Sequence, residues 1–205
     1  MVSISSPEAK AAQRFKSDTA DHVMTVLRED GLYRHLKFET PQYGSIYRYD
    51  LITWPHGLLI RGDGPNFVFS LYPTADLFEM FKGSSHHGIN PDYWSEKVVA
   101  GTVKSWSEEK FRSWLLQAAG ERAAKHPGLI DEVRYQILES DEFNLEFEEL
   151  ARHALASFTH PEVQFQFPLK WVVDFDDYDW TYLWACHAIV HGIAQYDAAR
   201  KAVAA

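Results

Sequence analysis

LYRHLKFETPQYGSIYRYDLITWPHGLLIRGDGPNFVFSL, residues 32–71, is the stretch that decides the fold. Four runs rich in aromatic and β-branched residues, 32–38, 46–54, 58–62 and 67–71, are separated by Thr40-Pro41, Pro55-His56-Gly57 and Asp63-Gly64-Pro65-Asn66. These separators have the backbone preferences that end strands and make turns. Connections this short join antiparallel neighbours, because parallel pairing needs a crossover of about a dozen residues or more. A βαβ nucleotide-binding sheet is therefore not expected. Arg34, Leu36 and Phe38 alternate with Tyr33, His35 and Lys37, and Tyr49 and Leu51 alternate with Arg48, Asp50 and Ile52. Such a pattern suits a sheet covered by helices on one face and wet on the other.

Working outward, Glu29-Asp30-Gly31 supplies an Asp-Gly hairpin turn, which makes 22–28 a fifth strand. Ser6-Pro7-Glu8 reads as a helix start, with a serine cap and proline in the first turn. Beyond residue 74 the period becomes helical. Leu77, Phe78 and Phe81 form one short stripe, and Asn90-Pro91-Asp92 opens a helix expected to carry Tyr93, Trp94, Val98 and Val99. Ser107-Glu108-Glu109 opens a longer helix with Phe111, Trp114, Leu115 and Ala118 inward, and 129–138 continues helical. Asp141 is expected to cap a helix whose apolar stripe is Phe143, Phe147, Leu150 and Ala154. Residues 163–173 alternate again, but Pro168 confines a strand there to an edge or splits it. The last helix, about 179–202, is apolar most of the way round, as a core helix is. The expectation is one α+β domain over 1–205: an antiparallel meander of four to six strands, covered by helices, with a long C-terminal core helix.

No run approaches the roughly 20 apolar residues needed to span a bilayer. Residues 1–6 lack the basic and apolar blocks of a secretory signal. With the single cysteine, Cys186, no internal disulfide forms, and a reducing cytoplasm is the expected compartment. The net charge of −9 is unevenly placed. Residues 1–130 hold 15 acids and 15 bases, whereas 131–180 hold 13 acids and 3 bases, a net −10. A surface of that sign repels phosphate backbones within about a Debye length, roughly 8 Å, and steers basic partners toward it. DNA binding through this region is disfavoured.

Several motifs carry chemistry. Glu142, Glu146 and Glu149, spaced for one helix face, with Glu139 beside them, form one acidic cluster; Asp174, Asp176, Asp177 and Asp179 form another. Together they are the candidate partner-binding surface, read against a plain solvated face with helix N-terminal acids favoured by the macrodipole. His187 and His191, one turn apart, are the alternative candidate metal pair, and they lack the glutamate of an HExxH motif. Asp50, His56 and Asp63, with Arg61, sit at turns where a carboxylate and an imidazole would have to converge for general acid/base work. Gly57, Gly62 and Gly64 follow no strand-to-helix layout, so they are turn glycines and no phosphate cradle. Glu96-Lys97 after Pro91-Asp92 has the wrong layout for a nuclease metal site, and His86-His87 lies in a glycine-serine loop. Trp54 and Trp94 with the tyrosines raise the possibility of an aromatic pocket for a small ligand such as a nucleotide.

Three blocks carry a family likeness: Tyr49-Asp50-Leu51-Ile52-Thr53-Trp54-Pro55 with Gly62-Asp63 and 67–70; Ile89-Asn90-Pro91-Asp92-Tyr93-Trp94-Ser95-Glu96-Lys97; and Leu183-Trp184, Ala188-Ile189 and Gln195-Tyr196-Asp197. Together they resemble a family of uncharacterised proteins carried by tailed phages and prophages, over most of the chain. The resemblance implies a phage accessory role inside a bacterial host, and it carries over no activity and no catalytic residues. The resulting expectation is a non-enzymatic binding protein without cofactor or membrane association. It would modulate a host factor, a defence factor among the possibilities, by docking its acidic surface on a basic host protein. The alternatives are a hydrolase or nucleotide-processing enzyme, or a nucleotide sponge.

Overall fold

Asp30-Gly31 makes the first hairpin of the computed structural model, which describes residues 6–42, 44–84 and 88–204. Gly31 takes the left-handed conformation (φ +58°) that such a tight turn requires. It joins β1 (Val23–Asp30) to β2 (Tyr33–Thr40). β3 (Gly44–Trp54), β4 (Gly57–Gly62) and β5 (Asn66–Ser70) follow, and β6 (Val98–Ala100) completes a six-stranded sheet in the order β1-β2-β3-β4-β5-β6. Every neighbouring pair is antiparallel. The meander is thus as expected, with its sixth strand where a helix was expected. The helix at Pro91 runs only to Ser95, and Val98 pairs with Phe69 across the ladder.

Alternation sorts the sheet into two faces. Leu36, Phe38, Tyr49, Leu51, Leu58, Ile60, Phe67 and Phe69 are buried, and they share one core with α1 (Pro7–Asp18), α2 (Leu77–Ser84) and α7 (Trp180–Ala204). α3 (Pro91–Ser95) adds Trp94, edge-on to Phe81 at 4.9 Å between ring centroids. Burying each such side chain contributes about 1.5–3 kcal/mol. The long C-terminal helix buries Tyr182, Leu183, Trp184, Cys186, Ile189 and Ile193, which makes it the core helix read from the sequence. It lies close on the sheet because residue 192 is glycine: a Cβ there would meet Leu51 Cδ1 at 2.5 Å. Ser6 caps α1 through a 3.3 Å bond from the Ala9 N–H.

Where the sequence shows no linker in 1–205, contacts nevertheless gather in two compact units, 1–103 with 178–205, and 104–177. No linker is needed, because the second unit is an insertion between β6 and α7. It comprises β7 (Lys104–Trp106), α4 (Glu108–Ala123), α5 (Leu129–Val133) running into a π-helical turn over Arg134–Leu138, α6 (Glu148–Ser157) and β8 (Asp176–Tyr178), which pairs with β7. Its core is a second cluster, with Trp106, Phe111, Phe167 and Phe175 packed at centroid distances from 5.3 to 6.1 Å.

Two expectations fail inside this unit. The helix expected from Asp141 begins only at Glu148. Asn144 Oδ1 accepts from the Glu146 N–H at 3.0 Å and Trp106 Nε1 donates to the Leu145 carbonyl at 2.9 Å, which commits 144–146 to turns. Leu145, Ala151, Ala154 and Leu155 are consequently the buried set, while Phe147 and Leu150 are exposed. Residues 163–167 alternate inward and outward as expected, with Val163 and Phe165 buried, but belong to no strand. No helix of the described residues is long and apolar enough to cross a membrane.

Candidate functional site

The two acidic clusters are dealt with differently by the fold. Because α6 starts late, Glu142 and Glu146 lie in the turns before it, and only Glu149 is on the helix, so the three do not share a helix face. Glu139, Glu142, Glu146 and Glu149 are all exposed, and none has an ion pair among the described residues. In the second cluster, Asp176 is held by Lys170 at 2.5 Å and Asp177 faces Lys110 at 3.8 Å. Asp174 Oδ1 accepts from the Asp176 N–H at 3.1 Å and so shapes a turn. Asp179 belongs to the other unit, where it caps α7 by accepting from the Thr181 N–H at 2.8 Å. The eight carboxylates read as a partner-binding surface are thus not alike in their surroundings. Asp174, Asp176, Asp177 and Asp179 are spent on turns, a cap and ion pairs, whereas the four glutamates have no ion pair among the described residues, Glu146 accepting only from the Asn144 amide at 3.5 Å.

A crevice nonetheless brings α6 and the second cluster together: Glu148, Arg152, Lys170, Asp174 and Asp176 line it, over Trp106 and Phe175. Arg152 lies over the Phe167 ring at 3.7 Å and donates to Glu148 Oε1 at 2.6 Å. The hydrogen bond from Lys170 to Asp176 holds the ammonium above its ordinary pKa. Charges of both signs alternate here, so the crevice is an ion-pair lattice.

Beside that lattice projects a feature the sequence reading missed. The Val172 and Val173 N–H groups both donate to the Leu169 carbonyl, at 2.8 and 3.1 Å, closing a single tight turn. This turn holds Trp171 82% exposed, with Val172 68% and Leu169 56% exposed. The available signal was an apolar run after Pro168, where a strand cannot simply continue, and with no ladder to enter, the run turns outward.

The histidine and aspartate candidates resolve plainly. His191 is engaged at both ring nitrogens, by the Tyr49 hydroxyl at 3.3 Å and by Gln195 at 3.0 Å. His187 stacks on Phe15 in the core between α1 and α7. Among the described residues no group of three or more His, Cys, Asp or Glu is placed to hold a metal. Burial lowers the pKa of both histidines and raises that of the Cys186 thiol. Asp50 and Asp63 do line one recess, with Arg48, Arg61 and Asn66. His56 does not join them: its Nδ1 bonds the Thr74 carbonyl at 3.0 Å, at the other end of β4, about 20 Å away along the strand. The imidazole near Asp50 is His35, with Nε2 at 3.6 Å from Oδ2. Trp94 is in the core and Trp54 lies against Gly57, so the two form no aromatic pocket. Glu96 pairs with its neighbour Lys97 at 3.0 Å, and His86-His87 lies outside the described residues.

No family model, no curated protein and no solved structure matches the chain.

Proposed function

We propose that this chain is a phage- or prophage-type accessory protein that acts in the bacterial host cytoplasm by binding, without catalysis, and modulates a host protein through the 104–177 unit. The observation that carries the reading is the exposed turn of Leu169, Trp171 and Val172 on a unit of 15 acids and 8 bases, net −7. Isolated apolar residues on a surface need no explanation, but a tryptophan held outward by a hydrogen-bonded turn, with two aliphatic neighbours, is the kind of anchor that dominates interface energies. The turn already orders the backbone that carries the ring, so a partner that buries it does not also have to order that segment. The exposed carboxylates Glu139, Glu142, Glu146 and Glu149 supply long-range attraction for a basic partner and repel nucleic acid. The partner chemistry is thus a basic protein surface with an apolar socket. The sequence blocks quoted above support the phage assignment.

The test is affinity capture from bacterial lysate with three full-length versions: wild type, Trp171→Ala, and the triple reversal Glu142→Lys, Glu146→Lys, Glu149→Lys. A host protein held by the wild type is expected to be lost from both variants at unchanged melting temperature, and salt should weaken capture by the wild type. A partner retained equally by both variants refutes the proposal.

A further inference from the structure

We propose that the recess on the open face of the sheet is a binding site for a small phosphorylated molecule, with Arg48 and Arg61 taking the phosphoryl oxygens. The register builds it. β3 presents Arg48 and Asp50 two residues apart, hence on one face, and β4 sets Arg61 directly opposite Asp50. The Asp63 N–H donates to the Arg48 carbonyl at 3.0 Å, which brings Asp63 alongside. At Gly62, between them, a Cβ would lie 2.1 Å from the Arg48 carbonyl oxygen, so the close approach of the strands depends on glycine.

Accounting for donors and acceptors shows what this recess lacks. Asp50, only 3% exposed, accepts from Arg61 Nε at 3.0 Å through Oδ2. Asp63 Oδ2 accepts from the Tyr47 N–H at 3.3 Å, and the Asn66 amide donates to the Gly64 carbonyl at 3.3 Å. Arg61 is anchored through Nε alone and is 52% exposed, so its two terminal nitrogens remain open, and the Arg48 side chain has no partner among the described residues. The unspent capacity is therefore two planar guanidinium forks on adjacent strands, beside one buried acceptor, Asp50 Oδ1, that has no hydrogen-bond partner. Such forks match the oxygens of a phosphoryl group, and the buried carboxylate that pins Arg61 pre-organises one of them. The recess, about 350 Å³, lies at the small end of ligand cavities and leaves room for a compact body beside the phosphate. Among the described residues no aromatic side chain lines it, so the body is a polyol, its hydroxyls meeting Asp63 and Asn66, and no nucleobase is stacked. The interleaved carboxylates and the net −2 of this unit, 14 acids and 12 bases, disfavour a polyanionic nucleic acid.

Isothermal titration of the full chain with ribose 5-phosphate, inorganic phosphate and ribose tests this. Ribose 5-phosphate is expected to bind saturably, inorganic phosphate more weakly, and ribose not at all. Arg48→Gln, on a half-buried position without partners, should weaken binding by roughly tenfold or more. Asn66→Asp sets a third carboxylate at the rim and should weaken it while leaving both guanidinium groups in place, whereas the remote Lys16→Gln should not. Saturable heat absent for both phosphoryl compounds at millimolar concentration overturns the proposal, as does unchanged affinity in Arg48→Gln and Asn66→Asp. Ribose binding as tightly as its phosphate overturns the phosphoryl assignment. A single-stranded oligonucleotide bound more tightly than ribose 5-phosphate overturns the small-molecule assignment.

Discussion

In the sheet unit, Arg34 is buried on the core side of β2 and donates to both oxygens of Asp76, at 3.0 and 2.7 Å, with Phe78 under its guanidinium. In the 104–177 unit, Arg152 makes a chemically similar pair with Glu148 at 2.6 Å and a similar stack on Phe167, but on the surface. The first pair is taken out of water and fixed by its surroundings; the second is solvated and can exchange partners. The difference teaches where function is to be sought. A charged pair set against a core serves to hold a fold, while a unit that leaves a net −7 in water holds charge that a partner can engage.

The largest test of that contrast is Asp76→Ala. Burial alone would raise the Asp76 pKa, but the Arg34 hydrogen bond and the Phe78 N–H outweigh it and hold the carboxyl below its ordinary value. Removing it strands a buried guanidinium and also the acceptor at the start of α2, where Asp76 Oδ1 takes the Phe78 N–H at 3.0 Å. Loss of one partner from a buried pair costs about 3–5 kcal/mol. Urea denaturation is expected to show a lowered midpoint at unchanged slope. A cost below about 1 kcal/mol, the range of surface pairs, would erase the distinction between the two units.

A second test uses protons. Burial lowers the pKa of His22, His187 and His191, with His191 lowering His22 further while Asp18 and Asp21 oppose it. All three belong to the sheet unit. A histidine whose folded pKa lies below its unfolded value of about 6.5 contributes no penalty above that pH. Below it the unfolded chain takes up protons that the fold resists, so stability falls as pH drops through 6.5 and continues to fall until the folded pKa values are passed. The urea midpoint should therefore decline between about pH 7 and pH 5. His22→Gln and His191→Gln are each expected to flatten that decline; a pH-independent midpoint in wild type would show that these rings accept protons in place.

What the sequence disclosed follows the reach of the forces involved. Strands β2 to β5 were legible because their boundaries are set locally, by proline, glycine and aspartate at turns. β6 was not, since three residues carry too little pattern and its partner is some thirty residues earlier. Phe143 and Phe147 offered a convincing helical stripe, but the bond from Trp106 to the Leu145 carbonyl, made across 39 residues, settles the backbone otherwise. At the sites the same division holds. Asp50, Arg61 and Asp63 announced themselves near turns, whereas His35 comes to Asp50 only through the β2–β3 ladder. Arg48 was available in principle, two residues before Asp50 and hence on its face, once the alternation of Tyr49 and Leu51 fixed which side was wet.

The smallest expected effect bears most directly on function. Glu148→Gln removes one charge from the crevice and leaves Arg152 its stack on Phe167, so the ring contact and the side-chain packing persist. Exposed pairs one helical turn apart stabilise by about 0.3–0.5 kcal/mol, and the variant should stay within that of wild type by urea denaturation. The same substitution releases a guanidinium into the acidic surface, which reduces attraction for a basic partner without touching Trp171. If stability is unchanged and capture falls, the surface charges of this unit serve recognition. If instead the variant loses stability on the scale expected for Asp76→Ala, the lattice of Glu148, Arg152, Lys170 and Asp176 is holding the fold, and recognition must then rest on Trp171 and the exposed glutamates alone.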